Sequence, residues 1–299
     1  MPPSAPRRAR VAMALSKLSG DEQGILFVQL CNVLDPGIAV ALSSVNNELR
    51  TATRVPLQQL KAGHEAAAAW CRKLRISCKA LREAKRVNCW GRGLTADEMK
   101  LLGTLGSVLP AVEVLDLYEP TAGPDGVQQL AAGLGAGALP AVTLFRIFDT
   151  HVGDAGASTL AAALGQGALP RLQSLVLYNT AIGDAGLVAL APALRRLPEL
   201  ERLTLSGNPL VAEGLAALVA PPPPAGAAPQ TTGGLKKLEW LSLSDTQVAD
   251  AGCAALAAAL NSGALPALED LDLDDIPASA AAKAAVYAAR ANLILSKFT

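Results

Sequence analysis

Histidines, cysteines and closely spaced carboxylates are the residue types that most often do chemistry in proteins, and this sequence contains few of them. The two histidines are His64, in a helical run, and His151, in a turn. Neither has a Ser, Cys or carboxylate at the spacing expected of a nucleophile and its base. No Gly-x-x-x-x-Gly-Lys-Ser/Thr loop for nucleotide phosphates occurs in the chain. We therefore expect no catalytic residue, no cofactor and no enzymatic activity.

Neither the cysteines nor the acidic residues predict a disulfide framework or a metal site. The five cysteines are irregularly spaced, which favours reduced thiols in the core of a cytoplasmic protein: Cys31, Cys71, Cys78, Cys89 and Cys253. Four aspartates near the C-terminus alternate along a predicted strand: Asp270, Asp272, Asp274 and Asp275. Such carboxylates can ligate a divalent cation. The same pattern is typical of a solvated polar edge, so we expect no metal.

Charge and hydropathy bear on two further classes of partner. The net charge is zero, but residues 1–100 carry 16 Lys/Arg against 8 Asp/Glu, and the remainder is correspondingly acidic. The basic residues are dispersed among acids without interleaved aromatics, so we expect no nucleic-acid binding. No apolar run reaches the ~18 residues that a membrane span needs. Residues 1–13 are expected to be a disordered tail of a cytoplasmic protein; a nuclear location, or an organelle transit peptide, is the alternative.

A repeated segment occupies the chain from residue 81 onward. Six copies open alike at Leu109, Leu139, Leu169, Leu197, Leu235 and Leu265, and a degenerate copy opens at Leu81. The copies are 28 or 30 residues apart, except for one interval of 38 residues. A proline-rich insertion at 220–234 explains the long interval, and we expect it to be a surface loop. A fixed period of this length predicts a solenoid.

Each copy has the pattern of a short strand, a turn and a helix. In the third copy, Leu175 and Leu177 are expected to point inward from the strand, and Leu190 and Leu194 to form the buried stripe of the helix. Asp184 precedes that helix and is expected to cap its N-terminus. Because one strand and one helix cannot bury their own apolar faces, the copies must stack on one another.

The pattern L-x-x-L-x-L-x-x-(N/T)-x-(I/V)-G-D-x-G resembles the leucine-rich repeats of the ribonuclease-inhibitor and NOD-like-receptor type. The resemblance covers residues 81–299 and implies an α/β leucine-rich-repeat solenoid. In that fold, parallel strands line the concave side of a horseshoe and helices form its convex side. The polar turn residue of the family falls on Thr150, Thr180, Asn208 and Thr246, where its side chain would bond the loop backbone.

Residues 14–80 precede the repeats and have a helical pattern. Part of this segment resembles an F-box through Leu18, Asp21, Ile25, Leu26, Leu30, Asp35, Pro36, Leu42, Val45, Leu49 and Arg50. It departs from that motif at Ser19, where proline is usual, and it lacks the usual late Cys and Trp, with Asn46 and Glu48 nearby. The resemblance implies a Skp-type adaptor as partner. The alternative is a helical cap that shields the first repeat of the solenoid.

The strand pattern also predicts which side chains face a partner. Alternation leaves the fifth, seventh and ninth residues after each opening leucine pointing away from the core. Five of the ten aromatic residues in the chain occupy these positions. Exposed aromatics beside arginine are typical of binding hot spots. We therefore predict a partner surface on the concave face made of Trp90, Tyr118, Phe148, Tyr178, Trp240, Arg146, Asp116 and Arg202.

Three functions are compatible with this sequence. The leading hypothesis is a non-enzymatic scaffold that binds another protein on the concave face. The runner-up is an F-box-like substrate receptor of an SCF-type ubiquitin ligase, in which residues 15–50 bind the adaptor. A GTPase-activator-like regulator is the third, on fold analogy alone.

Overall fold

A computed structural model describes residues 19, 22, 32–44, 47–220, 235–290 and 293–295 of the chain. The chain divides into two compact units, residues 1–83 and 84–299. Several predicted features lie outside the described residues: the tail at 1–13, the F-box-like Leu18, Ile25, Leu26 and Leu30, and the proline-rich insertion from 221 to 234.

The N-terminal unit is helical in its described part. Its helices are α1 (Gly37–Ser43), α2 (Asn47–Ala52), α3 (Arg54–Leu74) and α4 (Cys78–Glu83). Two F-box-like residues, Asp35 and Pro36, lie in the turn before α1, and Leu42 is half-buried within α1. Nδ1 of His64 lies 2.7 Å from the carbonyl oxygen of Val33, so this imidazole fixes α3 to the turn before α1.

The second unit is built on one parallel sheet of eight strands in chain order. Equivalent positions of successive copies lie opposite each other, as in the pairing of Asn88 with Asp116 and of Asp116 with Arg146. The last strand follows the sixth copy and was not predicted. The strands are β1 (Arg86–Trp90), β2 (Val114–Tyr118), β3 (Leu144–Phe148), β4 (Ser174–Tyr178), β5 (Arg202–Thr204), β6 (Trp240–Ser242), β7 (Asp270–Asp272) and β8 (Ile294–Leu295).

A helix follows each strand from β1 to β7, and each helix packs against the helix of the next repeat. Short 3₁₀ turns at Gly106–Val108 and Pro120–Ala122 flank two of the connections. The predicted α/β leucine-rich-repeat solenoid is therefore confirmed. The helices are α5 (Ala96–Leu105), α6 (Gly123–Gly133), α7 (Gly153–Gly165), α8 (Asp184–Leu194), α9 (Ala212–Val219), α10 (Asp250–Asn261) and α11 (Ala280–Ala288).

The core of the repeat unit lies between the sheet and the helices. Inward strand residues stack from repeat to repeat and are fully buried, among them Leu115, Phe145, Leu175, Leu203, Leu241 and Leu271. Packed helices are ~8–10 Å apart, whereas paired strands are only ~4.8 Å apart. The strand side of the stack is therefore the shorter one, and the sheet forms the concave face.

Buried polar side chains replace missing backbone partners in the turns after the strands, as predicted. Asn208 is the fullest example, because its Oδ1 accepts from the amides of Thr180 at 3.1 Å and Ile182 at 3.0 Å. Its Nδ2 donates to the carbonyl oxygens of Leu177 at 2.7 Å and Leu205 at 2.9 Å. Each bond to the preceding repeat ties one turn to the next.

The aspartates before the helices act differently from the sequence prediction. Asp184 was expected to cap its own helix, but its carboxylate accepts from the amides of Val211 and Glu213 in the next repeat. Asp154 likewise accepts from Gly183 at 2.7 Å and Gly186 at 3.0 Å. The prediction was wrong because the helix N-terminus nearest to each carboxylate belongs to the following copy.

This capping across repeats explains a recurring glycine. A Cβ added to Gly186 would lie 2.5 Å from Oδ1 of Asp154 and 3.0 Å from its Cα. A Cβ added to Gly214 would lie 2.8 Å from Oδ1 of Asp184. The close approach of the preceding repeat's carboxylate therefore requires glycine at these two helix starts.

Within the described ranges, no helix combines the length and apolar character required to cross a bilayer.

Candidate binding surface on the concave face

Four aromatic side chains at the ninth position of consecutive repeats form a column along the concave face. The rings of Trp90 and Tyr118 stack with centroids 4.7 Å apart and planes 15° apart. The ring of Phe148 lies 5.9 Å from Trp90 and 6.4 Å from Tyr178, in tilted arrangements. Trp90 is 52% exposed and Tyr178 is 38% exposed, so both ends of this aromatic column are open to solvent.

A carboxylate between two arginines lies beside the aromatic column. Oδ2 of Asp116 accepts from Nε of Arg86 at 2.7 Å, and Oδ1 accepts from Nε of Arg146 at 2.5 Å. The guanidinium carbon of Arg146 lies 5.8 Å from the centre of the Phe148 ring. Asp116 therefore fixes the positions of both arginines, and Arg146 in turn contacts the column.

Some predicted solvent-facing residues are buried. Asp116 is only 2% exposed because the two arginines cover it. Its carboxylate therefore does not face a partner, although the alternation of strand residues predicts that it does. The same correction applies to four side chains of the C-terminal repeats that alternation places toward solvent: Thr204, Ser206, Ser242 and Asp272. Of the remaining predicted residues, Arg202 is exposed and Trp240 is half-buried.

In the C-terminal repeats, hydroxyl groups and carboxylates occupy the concave face in place of aromatic rings. Oγ of Ser242 lies 2.7 Å from Oγ of Ser206 and donates to Oδ2 of Asp272 at 2.7 Å. Oγ of Ser244 donates to Oγ of Ser206 at 3.0 Å. The sequence columns contained these residues, but their network spans three repeats and depends on burial that no single repeat reveals.

Sequence reasoning missed two of the three aspartates at the tenth position, just beyond the strand ends, and interpreted the third, Asp275, only as part of a polar strand edge. Asp149, Asp245 and Asp275 lie there with φ of 42°, 54° and 53°. Aspartate and asparagine tolerate this left-handed conformation better than most residues, which is the signal that could have found them. Their carboxylates add charge to the same edge of the sheet as the aromatic column.

The concave face encloses a groove of about 640 Å³. Its lining includes aromatic rings from Trp90, Phe148, Tyr178 and Trp240. It also includes five carboxylates but one guanidinium, that of Arg146: the acids are Asp149, Asp245, Asp272, Asp274 and Asp275. The groove is thus richer in aromatic rings toward the first repeats and richer in carboxylates toward the last, although Asp149 lies beside Phe148 and Trp240 lies in β6.

Three of the described thiols lie in surroundings that keep them protonated. Burial raises the pKa of Cys89 and Cys253, and it raises the pKa of Cys71 to about 12 with a further contribution from its neighbour Cys78. A thiol held in its protonated form is a poor nucleophile and a poor metal ligand.

At the far end of the sheet, burial raises the pKa of Tyr287 to about 12, with Asp272 and Asp274 adding to the shift.

The acidic residues of the groove do not converge on one point. Among the described residues, no three His, Cys, Asp or Glu side chains are grouped closely enough to hold a metal ion. The carboxylates instead extend along the edge of the sheet across several repeats.

Comparison with known proteins agrees with the repeat architecture. A family model described as "Leucine Rich repeat" matches residues 170–191, which contain β4 and most of α8. A search of curated proteins gives no significant match. The fold assignment rests on this repeat match and on the alternation of parallel strands and helices, and proteins of this architecture generally serve in protein–protein interaction.

Three solved structures are similar to parts of the chain. An internalin of Listeria monocytogenes is 16% identical, over 66% of this chain and 50% of that chain, with a TM-score of 0.35. TLR13 in its complex with ssRNA13 is 17% identical, over 68% and 31%, with a TM-score of 0.35. A leucine-rich-repeat protein of Leptospira interrogans is 17% identical, over 71% and 60%, with a TM-score of 0.30. The similar region thus spans less than two-thirds of each of these chains.

Proposed function

We propose that this chain is a non-enzymatic scaffold that binds a protein partner in the groove on its concave face. The observation that carries the proposal is the aromatic column of Trp90, Tyr118, Phe148 and Tyr178, open at both ends. Aromatic rings supply large contact area at low entropic cost and dominate interface hot spots. The proposed partner surface keeps Arg146, Arg202 and Trp240, while Asp116 acts by positioning Arg86 and Arg146.

The aromatic column also contributes to the stability of the fold, but stability alone does not require aromatic rings on this face. Contacts between rings on neighbouring strands contribute ~0.2–1 kcal/mol each. The buried leucines behind the sheet already join the repeats, so outward rings are not needed to close the core. Aromatic residues make up only 3% of the chain, yet they occupy four consecutive positions on this edge of the sheet. Such placement is typical of a binding surface.

Site-specific cross-linking would test where a partner binds. A photo-cross-linking amino acid replaces Tyr178 on the concave face or, as the control, Val188, which is 39% exposed on α8. We expect a cross-linked protein only from position 178. Cross-links from position 188 alone would place the partner on the helix layer and contradict the proposal.

The affinity of the chain for the captured protein then measures how much the aromatic column contributes to binding. Phe148→Ala with Tyr178→Ala should weaken binding by roughly tenfold or more, because a hot-spot residue typically contributes about 2 kcal/mol. The matched control, Val188→Ala with Val211→Ala, also removes two exposed apolar side chains and should leave the dissociation constant unchanged. Unchanged binding by a folded Phe148/Tyr178 variant would exclude the aromatic column as the partner surface.

An F-box-like substrate receptor is the second candidate function, supported by three exposed apolar side chains of the N-terminal unit. Ile38 is 55% exposed and Val40 44% exposed on α1, and Val55 is 62% exposed on α3. Direct titration with a purified Skp adaptor tests this role. Ile38→Asp with Val40→Asp should abolish micromolar binding, whereas Val188→Asp with Val211→Asp should not. Failure of the intact chain to bind the adaptor would exclude an F-box role for residues 15–50.

A further inference from the structure

The edge of the sheet where the strands end changes in chemistry along the repeat unit. The ninth position is aromatic from β1 to β4, carries a hydroxyl in the next two repeats, and is acidic in the last: Trp90, Tyr118, Phe148, Tyr178, Ser206, Ser244 and Asp274. Beside this row, the tenth position supplies Asp149, Asp245 and Asp275. One end of the groove is therefore suited to apolar groups and the other to cations.

The left-handed backbone explains the residue type at the tenth position only in part. Glycine, asparagine and aspartate are all tolerated where φ is positive, and Asn179 and Gly207 occupy the equivalent place in two repeats. The backbone conformation therefore does not require a negative charge at Asp245 or Asp275. Asp274 lies outside that region and is nevertheless acidic and exposed.

The charges at the acidic end are not neutralised by the protein itself. Among the described residues, the salt bridges join other acids, and none involves Asp245, Asp274 or Asp275. These three side chains are exposed at the mouth of the groove. Uncompensated carboxylates beside a concave surface attract a cationic partner and speed its association.

We infer that the occupant of the groove is an extended segment of a partner protein, apolar or aromatic at one end and rich in lysine and arginine at the other. The inference rests on the proposed function, because it specifies the chemistry of the partner at the same groove. The apolar end packs on Phe148 and Tyr178. The basic end lies along Asp245, Asp274 and Asp275.

The dimensions of the groove fit such a segment. The seven strands from β1 to β7 span six spacings of ~4.8 Å, or about 29 Å along the edge of the sheet. An extended chain rises ~3.3 Å per residue, so about nine residues cover this length. A single cation is a poorer fit, because the carboxylates are distributed along the edge and form no metal-binding group within the described residues. A nucleic acid would place phosphates against the same carboxylates.

Selection from a randomised nine-residue peptide display library tests the inference on the full-length chain. Peptides recovered on the wild type should be enriched in lysine and arginine, and their affinity should fall as salt is added. Asp245→Asn, Asp274→Asn and Asp275→Asn together remove three charges. At positions 245 and 275 asparagine also preserves tolerance of the left-handed backbone. This triple variant should weaken the selected peptides by roughly tenfold or more, about 1.4 kcal/mol at least.

A matched triple variant controls for net charge. Asp97→Asn, Asp125→Asn and Glu213→Gln remove three exposed carboxylates from the first turns of α5, α6 and α9. This variant should bind the selected peptides as the wild type does. Equal loss in both triple variants would overturn the inference, because long-range charge and not the groove would then attract the peptides. Melting curves of both variants confirm that each remains folded.

The possible outcomes separate this inference from the proposed function. Peptides without basic enrichment whose binding is lost in the Phe148→Ala/Tyr178→Ala variant would overturn the inference and support the proposed function. No enrichment, or peptides insensitive to both groove variants, would overturn the inference, and cross-linking from position 178 would then decide the proposed function separately. The remaining outcome is that a single-stranded RNA twelve-mer displaces the selected peptides and loses its own binding in the Phe148→Ala/Tyr178→Ala variant. That result would overturn the inference in favour of a nucleic-acid ligand.

Discussion

At the scale of single residues, the aspartates before the helices show how one carboxylate joins two repeats. Asp154, Asp184 and Asp250 each accept hydrogen bonds from the helix start of the following repeat. Such a bond satisfies an amide that the helix itself leaves without a partner, and the negative charge lies near the positive end of the helix dipole. Each aspartate therefore stabilises the interface between repeats more than its own helix.

Replacing Asp154 with alanine should lower the free energy of unfolding by about 0.5–2 kcal/mol, the usual effect of removing a helix cap. The amides of Gly183 and Gly186 lose their acceptor in this variant. Asp125→Ala is the control, because it removes an exposed acid from the first turn of α6. Urea unfolding of both variants measures the difference. An equal loss in Asp125→Ala would show that Asp154 acts only through the dipole of its own helix.

The buried thiols should be protected from alkylation in the native chain. Burial raises the pKa of Cys89 and Cys253, so little thiolate forms at pH 8. Iodoacetamide labelling followed by mass spectrometry should show both residues unmodified until the chain is unfolded. Because their pKa is higher in the folded state than the usual ~8.5, stability should fall as the pH rises above that value. Rapid labelling of native Cys89 would contradict its assigned place in the core.

At the scale of strands and helices, the two-residue period determines which side chains the sheet buries. Leu175 is fully buried in β4, whereas its neighbour Val176 points into the groove. The position equivalent to Leu175 is buried in every strand from β1 to β7, so one register error would turn the core residues of a strand toward the groove.

The alternation predicts opposite outcomes for two adjacent residues. Leu175→Ala should cost about 2–5 kcal/mol, as expected when a buried leucine is truncated. Val176→Ala, the matched control one residue later, should cost much less because its side chain is partly solvated. Thermal melts of the two variants provide the comparison. A Leu175→Ala variant with an unchanged melting temperature would place the wrong face of β4 in the core.

Repeat spacing was sufficient to predict the strands from β1 to β7, the helices that follow them and the inward face, because each depends on pattern within one copy. The burial of Asp116 and Ser242 was not predictable in this way, since it depends on side chains from adjacent strands. Asp245 was missed, and Asp275 was interpreted only as part of a polar strand edge, because the importance of both comes from a backbone conformation beyond the strand. What joins one repeat to the next is therefore the part of the site that sequence patterns reveal least.

At the scale of the whole repeat unit, the interactions between copies determine how it unfolds. Each helix packs on the next and each strand pairs with the next, so a boundary between folded and unfolded repeats would lose one complete interface. Buried hydrogen bonds such as those of Asn208 to Leu177 and Thr180 cross the same boundaries. Both features favour unfolding of the unit from β1 to β7 as one.

Two core truncations at opposite ends of the sheet test this cooperativity. Leu115 in β2 and Leu271 in β7 are both buried, and four strands separate β2 from β7. Each change to alanine should remove about 2–5 kcal/mol of stability. Because residues so far apart share no partners, the double variant should lose the sum of the two single losses within about 0.5 kcal/mol.

Hydrogen exchange at rising urea concentrations measures the free energy of unfolding separately for peptides from each end of the sheet. If the unit is cooperative, Leu271→Ala lowers the unfolding free energy reported by β2 as much as that reported by β7. A loss confined to β6, β7 and their helices would show that the C-terminal repeats, which carry the acidic end of the groove, open independently of the aromatic column.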